Sequence, residues 1–310
     1  MTETPSPTRR RLMECVGWIG TGLVWTVAAG VPTTVAALGS AEAAAMPSGG
    51  LSFIQISDSH IGFKAPNYPD VPGTLRKAVA AARALAGSAG FALHTGDITH
   101  LGRADEFDIA HGINQGIGMP IHHVPGEHDM LDPGKKLYLG RYGKGTKGMG
   151  WYGFDTGGVH FVGLVNVVTN ADSGEWLLGA DQLAWLKDDL RGVASSTPVV
   201  LFAHVPLWAV YPKWGWGTAD AAPAFALLKR FGSVTVLNGH IHQVLQKVEG
   251  NVTFHTALST AFPQPAPGSA PHPGPILTMP ADQVASHLGV RQVRWRGGAG
   301  PMATVDHRLA

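Results

Sequence analysis

Five short polar clusters occur at long intervals in this chain, and each follows an apolar run of strand length. The central cluster closes the stretch Phe91–Asp97, whose apolar residues end in Thr95, Gly96 and Asp97. Such a run is typical of a buried strand, and open α/β sheets build their sites where strands end. We therefore expect one polar site along a sheet edge. The other clusters are Asp58-Ser59-His60, Gly126-Glu127-His128-Asp129, His204 and Gly239-His240-Ile241-His242.

The amino-acid composition limits the ligands that such a site can use. The chain of 310 residues has one cysteine, Cys15, which excludes a disulfide framework and a cysteine zinc site. It has 15 histidines, none before His60, and His, Asp, Glu and Asn ligands suit zinc, iron and manganese. A net charge of +1 gives no indication of nucleic acid or an acidic membrane surface as a partner. With 45% hydrophobic residues, one large globular domain or two small ones can form.

Residues 1–45 have the organisation of an export signal. Arg9-Arg10 precede an uncharged apolar stretch, Val16 to Leu38, and small-x-small cleavage candidates end at Ala43 and Ala45. This resembles a twin-arginine signal, which implies a bacterial protein that the twin-arginine machinery exports already folded, with its metals loaded. The mature protein would be periplasmic or secreted. The alternative is a membrane anchor formed by the uncleaved signal, since the apolar stretch is long enough to span a bilayer.

Hydrophobic periodicity predicts strands that alternate with helices in the first half and hairpins later. The predicted strands are 51–57, 91–95, 121–124, 151–155, 159–166, 198–203, 234–237, 244–248 and 252–257. The predicted helices are 74–86, 103–116, 181–190, with Asp181 as an early cap, and 219–230. This order indicates an α/β protein with mixed sheets and outer helices. We predict a functional domain over 46–260, with 261–310 as a Pro-rich loop and C-terminal extension of it.

The residue types in the five clusters suit a pair of metal ions. Two cations about 3.5–4 Å apart need a bridging carboxylate and several nitrogen or oxygen ligands each. Asp97, in the central cluster, is the predicted bridge. The other predicted ligands are Asp58, His60 and His242 for one ion, and Glu127, His204 and His240 for the other.

The ordered motifs resemble those of the calcineurin-like metallophosphoesterases. That family has D-x-H, G-D, G-N-H-D/E, H and G-H-x-H, and this chain has DSH, GD, GEHD, H and GHIH over residues 58–242. The resemblance implies a four-layer sandwich of two mixed β-sheets between helices, with two divalent or mixed-valence ions (manganese, iron or zinc) on the loops. It also implies that a metal-bridging hydroxide attacks a small phosphate ester in line. His128 would protonate the leaving oxygen, and Asp129 would orient His128.

Two positions bear on which branch of the family the chain resembles. Glu127 stands where the family usually has asparagine, and its charge would tighten metal binding and damp the Lewis acidity of the second ion. Purple acid phosphatases carry a tyrosine ligand three residues after the bridging aspartate, where this chain has His100. A coloured tyrosinate-iron site is therefore not expected.

Several functions would use the same seven ligands. General spacing and a short aromatic loop favour a phosphodiesterase, and a phosphomonoesterase or pyrophosphohydrolase is the alternative. A non-catalytic scaffold on this fold is disfavoured because every ligand position holds a metal-competent side chain. A single-metal hydrolase of another fold is disfavoured by the ordered motifs.

Other polar and aromatic residues near the motifs have less specific interpretations. We expect core packing, or hydrogen bonds behind the ligands, for His94, His100, His122 and His123. Four aromatic residues follow His204 and could line a pocket or pack their loop onto the body: Trp208, Tyr211, Trp214 and Trp216. The pair Asp188-Asp189 is predicted to lie on a solvated helix face.

Overall fold

The structure is a computed structural model that describes residues 24–28, 31–35, 50–169, 174–298 and 300–310. Strands β1 (Val24–Ala28) and β2 (Val31–Val35) pair antiparallel with each other. The rest of the predicted export signal lies outside the described residues. Within the described ranges, no helix has the length and apolar character needed to cross a bilayer.

The remaining strands and helices alternate along the chain from residue 50 onward. The strands are β3 (Leu51–Ile56), β4 (Ala92–Thr95), β5 (Ile121–Val124), β6 (Tyr152–Thr156), β7 (Val159–Gly163), β8 (Val168–Thr169), β9 (Trp176–Leu177), β10 (Val199–Phe202), β11 (Val234–Asn238), β12 (Gln246–Glu249), β13 (Val252–Thr256), β14 (Gly289–Trp295) and β15 (Ala303–Arg308). The helices are α1 (Val71–Leu85), α2 (Ala104–Asn114), α3 (Lys136–Tyr142), α4 (Ala180–Leu190), α5 (Ala221–Leu228) and α6 (Ala281–Val284).

Two mixed sheets form the centre of the fold. One has the order β15-β14-β3-β4-β5, and the other has the order β12-β13-β11-β10-β7-β6. The strands β3, β4 and β5 are parallel, as are β7, β10, β11 and β13, while β6, β12, β14 and β15 pair antiparallel with their neighbours. Parallel neighbours bring their carboxyl ends to the same edge, which places the loops after them together.

Side-chain alternation along the strands separates the fold into four layers. In β10, Val199 and Leu201 pack in the cluster that includes the helices α4 and α5. The alternate residues Val200 and Phe202 pack between the two sheets, against residues such as Phe53. A third cluster joins β3 to the helices α1 and α2 on the other side. The predicted sandwich of two mixed sheets flanked by helices is therefore confirmed.

The C-terminal residues contain two strands that the sequence analysis did not predict. Strand β14 pairs with β3 at the centre of the five-stranded sheet, and β15 pairs with β14. Polar residues in β14 concealed it, because Arg291 and Gln292 are buried. The guanidinium of Arg291 donates to both carboxylate oxygens of Asp306 in β15, at 2.9 and 3.0 Å, and this satisfies the buried charge. Residues 261–310 thus contain two strands of the sheet as well as a loop.

The N-terminus of α4 is capped differently from the prediction. Asp181 forms no side-chain cap, and the helix begins after Gly179. The Asp220 carboxylate accepts the N–H groups of Leu178 and Gly179 at 2.7 and 2.8 Å. A distant residue therefore holds the segment that enters the helix.

The acidic pair on α4 is only partly solvated. Asp188 is exposed and pairs with Arg191, as predicted for a helix surface. Asp189 instead lies 2.9 Å from the buried ring of His160, whose other nitrogen lies 2.8 Å from Asp155. Burial lowers the pKa of His160, but the two carboxylates raise it more, so the net pKa lies above its ordinary value. The prediction for Asp189 is therefore wrong, because a buried histidine on β7 holds its carboxylate.

Candidate metal centre

The predicted site residues follow the carboxyl ends of five strands. Asp58 and Asp97 each lie two residues beyond their strands, β3 and β4, and Glu127 lies three beyond β5. In the second sheet, His204 and His240 each lie two residues beyond β10 and β11. The structure brings all seven predicted ligands together where these strand ends meet.

The seven side chains form two groups that share one carboxylate oxygen. In the first group, His242 Nε2 lies 3.2 Å from both Asp58 Oδ1 and His60 Nε2. The Oδ2 atom of Asp97 lies 3.4 Å from His60 Nε2 and 3.3 Å from His204 Nε2. It is thus the atom that both groups approach.

The second group is built around Glu127. Its Oε2 atom lies 2.9 Å from His204 Nε2, and its Oε1 atom lies 3.0 Å from His240 Nδ1. The two imidazole nitrogens are 3.3 Å apart. The residue that departs from the family pattern is therefore directed into the centre, between two histidines.

The nitrogen and oxygen atoms that face one another in the centre are better arranged to coordinate cations than to form hydrogen bonds with one another. Ring nitrogens face ring nitrogens in both groups, and neutral imidazoles can form such a contact only if one is the donor. Asp58 Oδ2 is buried and has no hydrogen-bond partner among the described residues. A buried carboxylate oxygen without a donor is costly unless a cation is bound. The nitrogen and oxygen ligands fit manganese, iron or zinc.

The backbone of the ligand loops has a left-handed conformation that the sequence motifs did not reveal. Among the described residues, six non-glycine residues have positive φ, and five of them are predicted ligands. Such conformations cost about 1–3 kcal/mol each and cluster at functional sites. Two hydrogen bonds join the first two loops: the Asp58 and His60 N–H groups donate to the Gly96 and Asp97 carbonyls, at 3.0 and 2.9 Å. The five ligands are Asp58, His60, Asp97, His240 and His242.

Backbone carbonyl groups hold two of the imidazoles at Nδ1, the nitrogen that faces away from the centre. The Nδ1 atom of His204 lies 2.7 Å from the Thr95 carbonyl oxygen, and that of His242 lies 2.5 Å from the Phe262 carbonyl oxygen. A histidine that donates through Nδ1 presents the lone pair of Nε2, so these contacts direct Nε2 of both rings to the centre.

Neighbouring histidines favour the ionised form of two carboxylates of the centre, those of Glu127 and Asp58. Burial raises the pKa of Glu127, but His240 and His204 lower it more, and the pKa lies well below its ordinary value. Burial also raises the pKa of Asp58, and His242 and His204 again lower it overall. Ionised carboxylates are the form that coordinates metals.

His128 lies beside the first group, but Asp129 does not orient it. The His128 Nδ1 atom lies 2.6 Å from the His100 carbonyl oxygen, and the ring stacks on that of His100 with centroids 4.8 Å apart. The Asp129 carboxylate accepts backbone N–H groups of Ile98, Thr99 and Gly126 at 2.9–3.0 Å. The predicted role of Asp129 is therefore corrected: it holds the loops together, and His100 orients His128.

The charge environment of His128 favours its protonated form. Burial lowers the pKa of this imidazole, but the carboxylates of Asp97 and Glu127 raise it, and the net pKa lies above its ordinary value. His100, which stacks on it, has a pKa lowered to about 4 by burial and by the His128 charge. One ring of the pair can therefore hold a proton while the other stays neutral.

The remaining histidines near the motifs pack or form hydrogen bonds, as predicted. His94 is buried, its Nε2 atom lies 2.8 Å from Ser59 Oγ, and burial lowers its pKa to about 3. His122 stacks on Phe154 and His123 on Tyr142, with centroids 4.0 and 4.1 Å apart. His100 differs from the other three because it contacts a proposed metal ligand directly: its Nδ1 atom lies 3.4 Å from His60 Nδ1.

The aromatic loop after His204 packs on the body and on itself. Trp216 is buried and lies 4.9 Å from the Trp214 ring, and Trp208 packs on Phe254 at 5.1 Å. Of the two interpretations, a pocket lining or packing onto the body, these contacts support packing.

Two residues beside the centre were missed by the sequence analysis. The Trp176 ring lies 6.2 Å from that of His240. The side-chain amide of Gln264 donates to the His240 carbonyl at 2.8 Å. Trp176 begins the two-residue strand β9 and Gln264 lies in an irregular segment. Neither belongs to a motif, and only the folded chain brings them to the proposed metal ligands.

Comparisons with known proteins found one family and several solved structures. The sequence model of a family described as calcineurin-like phosphoesterase matches residues 51–244, a range that contains all seven predicted ligands. No curated protein sequence matches the chain.

Three solved structures illustrate the structural similarity. A dimetal phosphatase from Danio rerio is 15% identical, with a TM-score of 0.61 over 83% of this chain and 98% of that one. The purple acid phosphatase PPD1 from yellow lupin (Lupinus luteus) seeds is 13% identical, with a TM-score of 0.61 over 84% of this chain and 52% of that one. GAP50 of Plasmodium is 14% identical, with a TM-score of 0.58 over 84% and 85%. At these identities the similarity shows a shared fold alone.

Proposed function

The chain belongs to the calcineurin-like phosphoesterase family of metal-dependent hydrolases, and we propose that it is a phosphodiesterase with two metal ions. The observation that carries the proposal is the Asp97 carboxylate, whose Oδ2 atom lies within 3.4 Å of a histidine nitrogen from each group. Asp58, His60 and His242 would hold one ion with it, and Glu127, His204 and His240 the other.

Each part of the centre would contribute separately to hydrolysis of a phosphate ester. The bound ions would lower the pKa of water and neutralise phosphate oxygens. His128, beside the first ion, would give its Nε2 proton to the leaving oxygen. The His100 carbonyl accepts the Nδ1 proton at 2.6 Å, and the carboxylates of Asp97 and Glu127 together with this contact favour the doubly protonated ring, which also carries a proton on Nε2.

The surroundings of the centre support a diester rather than a monoester. The carboxylates of Asp58, Asp97 and Glu127 face histidines of the centre, at 2.9–4.0 Å. Glu127 adds a negative charge to the centre. A monoester carries one more negative charge than a diester at neutral pH, so a centre with little extra positive charge suits the diester.

Metal analysis followed by a substrate comparison tests the proposed function. The purified mature chain is loaded with manganese, iron or zinc, its metal content is measured, and phosphate mono-, di- and pyrophosphate esters are assayed. We expect two ions per chain and the highest kcat/KM with diesters. A preference for monoesters or pyrophosphates would contradict the diester assignment, and absence of any hydrolysis would contradict the enzyme assignment.

Replacing His128 with alanine should slow hydrolysis without removing the metals. General acid catalysis typically contributes about 10²–10⁴-fold, so we expect a loss in that range for a diester with a poor leaving group. A nitrophenolate leaving group needs little protonation and should be affected much less. The measurement is kcat/KM on both esters, with His111→Ala as an exposed control. An equal loss on both esters would argue against the acid role.

We also propose that residues 1–45 direct export by the twin-arginine route. Arg9-Arg10 before the apolar stretch support it. Replacing both arginines with lysine should retain the protein in the cytoplasm, whereas Arg76→Lys, on the exposed surface of α1, should not. Fractionation of the cells measures the outcome, and unchanged export of the double variant would overturn the proposal.

A further inference from the structure

We propose that Gln264 is a positioning residue for the second metal ion, and that it acts by holding the backbone of the ligand His240. The inference rests on the proposed function, because the second ion is the one that Glu127, His204 and His240 would hold. It assigns a role in metal binding to the Pro-rich segment 263–280, which contains none of the five polar clusters.

The imidazole of His240 meets the centre in a different way from those of His204 and His242. His240 presents Nδ1, which lies 3.0 Å from Glu127 Oε1. The other two rings present Nε2 and are held at Nδ1 by backbone carbonyls. Such a contact at Nδ1 is not open to His240, because that nitrogen faces the centre. Nδ1 is also closer to the backbone than Nε2, so the position of this ligand atom depends more directly on the main chain.

The main chain of His240 has a strained conformation that other residues support. Its φ is 68°, in the left-handed region that residues other than glycine rarely adopt. Such a conformation persists only where the surrounding contacts enforce it. Its N–H donates to Asp58 Oδ1 at 3.0 Å, and its carbonyl accepts from the side-chain amide of Gln264 at 2.8 Å. Asp58 and Gln264 thus hold the two peptide groups on either side of His240.

The side chain of Gln264 is itself held in one orientation. Its amide oxygen accepts the Gly274 N–H at 2.9 Å, while its amide nitrogen donates to the His240 carbonyl. A backbone N–H can only donate and a carbonyl can only accept, so these two partners determine which end of the amide faces which. The main-chain carbonyl of Gln264 accepts from the Gln243 side chain at 3.1 Å. Gln264 therefore meets His240 with its own position fixed.

The first metal group is supported by contacts that do not involve the Gln264 side chain. The Phe262 carbonyl holds His242 at Nδ1, at 2.5 Å. The Phe262 ring lies 4.7 Å from the rings of both His60 and His242. Removing the Gln264 amide leaves these contacts in place. We therefore expect its loss to weaken binding of the second ion and to spare the first.

Manganese binding to Gln264→Met tests the inference. Methionine has a similar length but cannot donate to the His240 carbonyl. The metal-free parent and variant are titrated with manganese by calorimetry and by electron paramagnetic resonance, which distinguishes a lone ion from a coupled pair. Partners of metal ligands typically contribute about 10–100-fold to metal affinity. We expect the variant to bind one ion as tightly as the parent does and the other at least about tenfold more weakly.

Turnover provides a second readout that damage to the fold would not reproduce. At limiting manganese, kcat/KM of Gln264→Met on the preferred diester should fall with the occupancy of the second ion. It should recover when the manganese concentration is raised beyond the weakened affinity. A loss of turnover that no manganese concentration reverses, with normal binding of both ions, would overturn the inference.

A second variant and a matched control separate the amide contact from the rest of the segment. Gln264→Glu keeps an oxygen for the Gly274 N–H but places a carboxylate oxygen against the His240 carbonyl. It should also weaken the second ion, although its negative charge alone would favour a nearby cation. Gln243→Leu removes the donor to the Gln264 and Pro265 carbonyls, at 3.1 and 2.6 Å, and leaves the Gln264 amide in place. It should bind both ions as the parent does.

The outcomes of these titrations decide the inference apart from the proposed function. Tight binding of both ions by Gln264→Met and Gln264→Glu would overturn it. An equal loss in Gln243→Leu, or loss of both ions in both Gln264 variants, would also overturn it, because the effect would then not be specific to His240. If thermal unfolding shows that only Gln264→Met fails to fold, Gln264→Glu decides. A parent that binds two ions but hydrolyses no ester would overturn the proposed function alone, and a parent that binds one ion would overturn both.

Discussion

Replacing Asp97 with asparagine should remove tightly bound metal and reduce turnover by at least about 10³-fold. Asparagine has the same shape and can still accept the His128 N–H, which lies 3.1 Å from Asp97 Oδ1. Its amide nitrogen, however, would take a position such as that of Oδ2, which approaches both His60 and His204. Both proposed ions would thus lose their shared anionic ligand. Metal ions contribute several kcal/mol to such reactions, and each 1.36 kcal/mol is tenfold in rate.

Metal content and kcat/KM on the preferred diester measure this outcome. Asp105→Asn is the matched control, because Asp105 is an exposed acid in the first turn of α2. It should retain two ions and normal turnover. If Asp97→Asn also retains two tightly bound ions and normal turnover, Asp97 does not bridge metals.

The order of the polar clusters was sufficient to predict which side chains converge. Each cluster follows an apolar run, and parallel strands deliver such residues to one edge whatever the length of chain between them. The distances among Asp58, Asp97 and His204 follow from this arrangement. The sequence could not show that His60 adopts a φ of 40°, because a left-handed turn there depends on the contacts of the folded loops.

The sequence analysis failed where a residue acts through a distant partner. Asp129 was assigned to its neighbour His128, but its carboxylate accepts two backbone N–H groups of the loop after β4, from Ile98 and Thr99, and one of its own turn, from Gly126. Arg291 made strand β14 hard to predict because a charged residue is expected to be exposed, and its partner Asp306 comes from the adjacent strand β15. Such pairings depend on strand register, which periodicity alone does not determine.

Replacing Gly126 with alanine should reduce turnover by about 10²-fold or more, although one methyl group is the only change. The Gly126 backbone has φ −94° and ψ 177°, which alanine adopts without strain. A Cβ atom there would lie 2.0 Å from Asp97 Oδ1 and 2.4 Å from the Asp97 backbone nitrogen. The Asp97 backbone cannot move aside as a flexible side chain could. The loops that carry Asp97 and Glu127 must therefore separate to make room for the methyl group. A displacement of 1 Å at a catalytic centre can cost about 10²-fold in rate.

Gly232→Ala provides the matched control, since the nearest atom to its Cβ would be the Ser195 carbonyl oxygen at 3.9 Å. Both variants are compared by metal content, kcat/KM on the preferred diester and thermal unfolding of the metal-free chain. We expect Gly126→Ala to lose metal and turnover and Gly232→Ala to match the parent. Normal metal content and turnover in Gly126→Ala would show that Asp97 can move away from Gly126 without harm. The close approach of these loops would then have no part in holding the bridging carboxylate, and the precision of the centre would rest on its histidines.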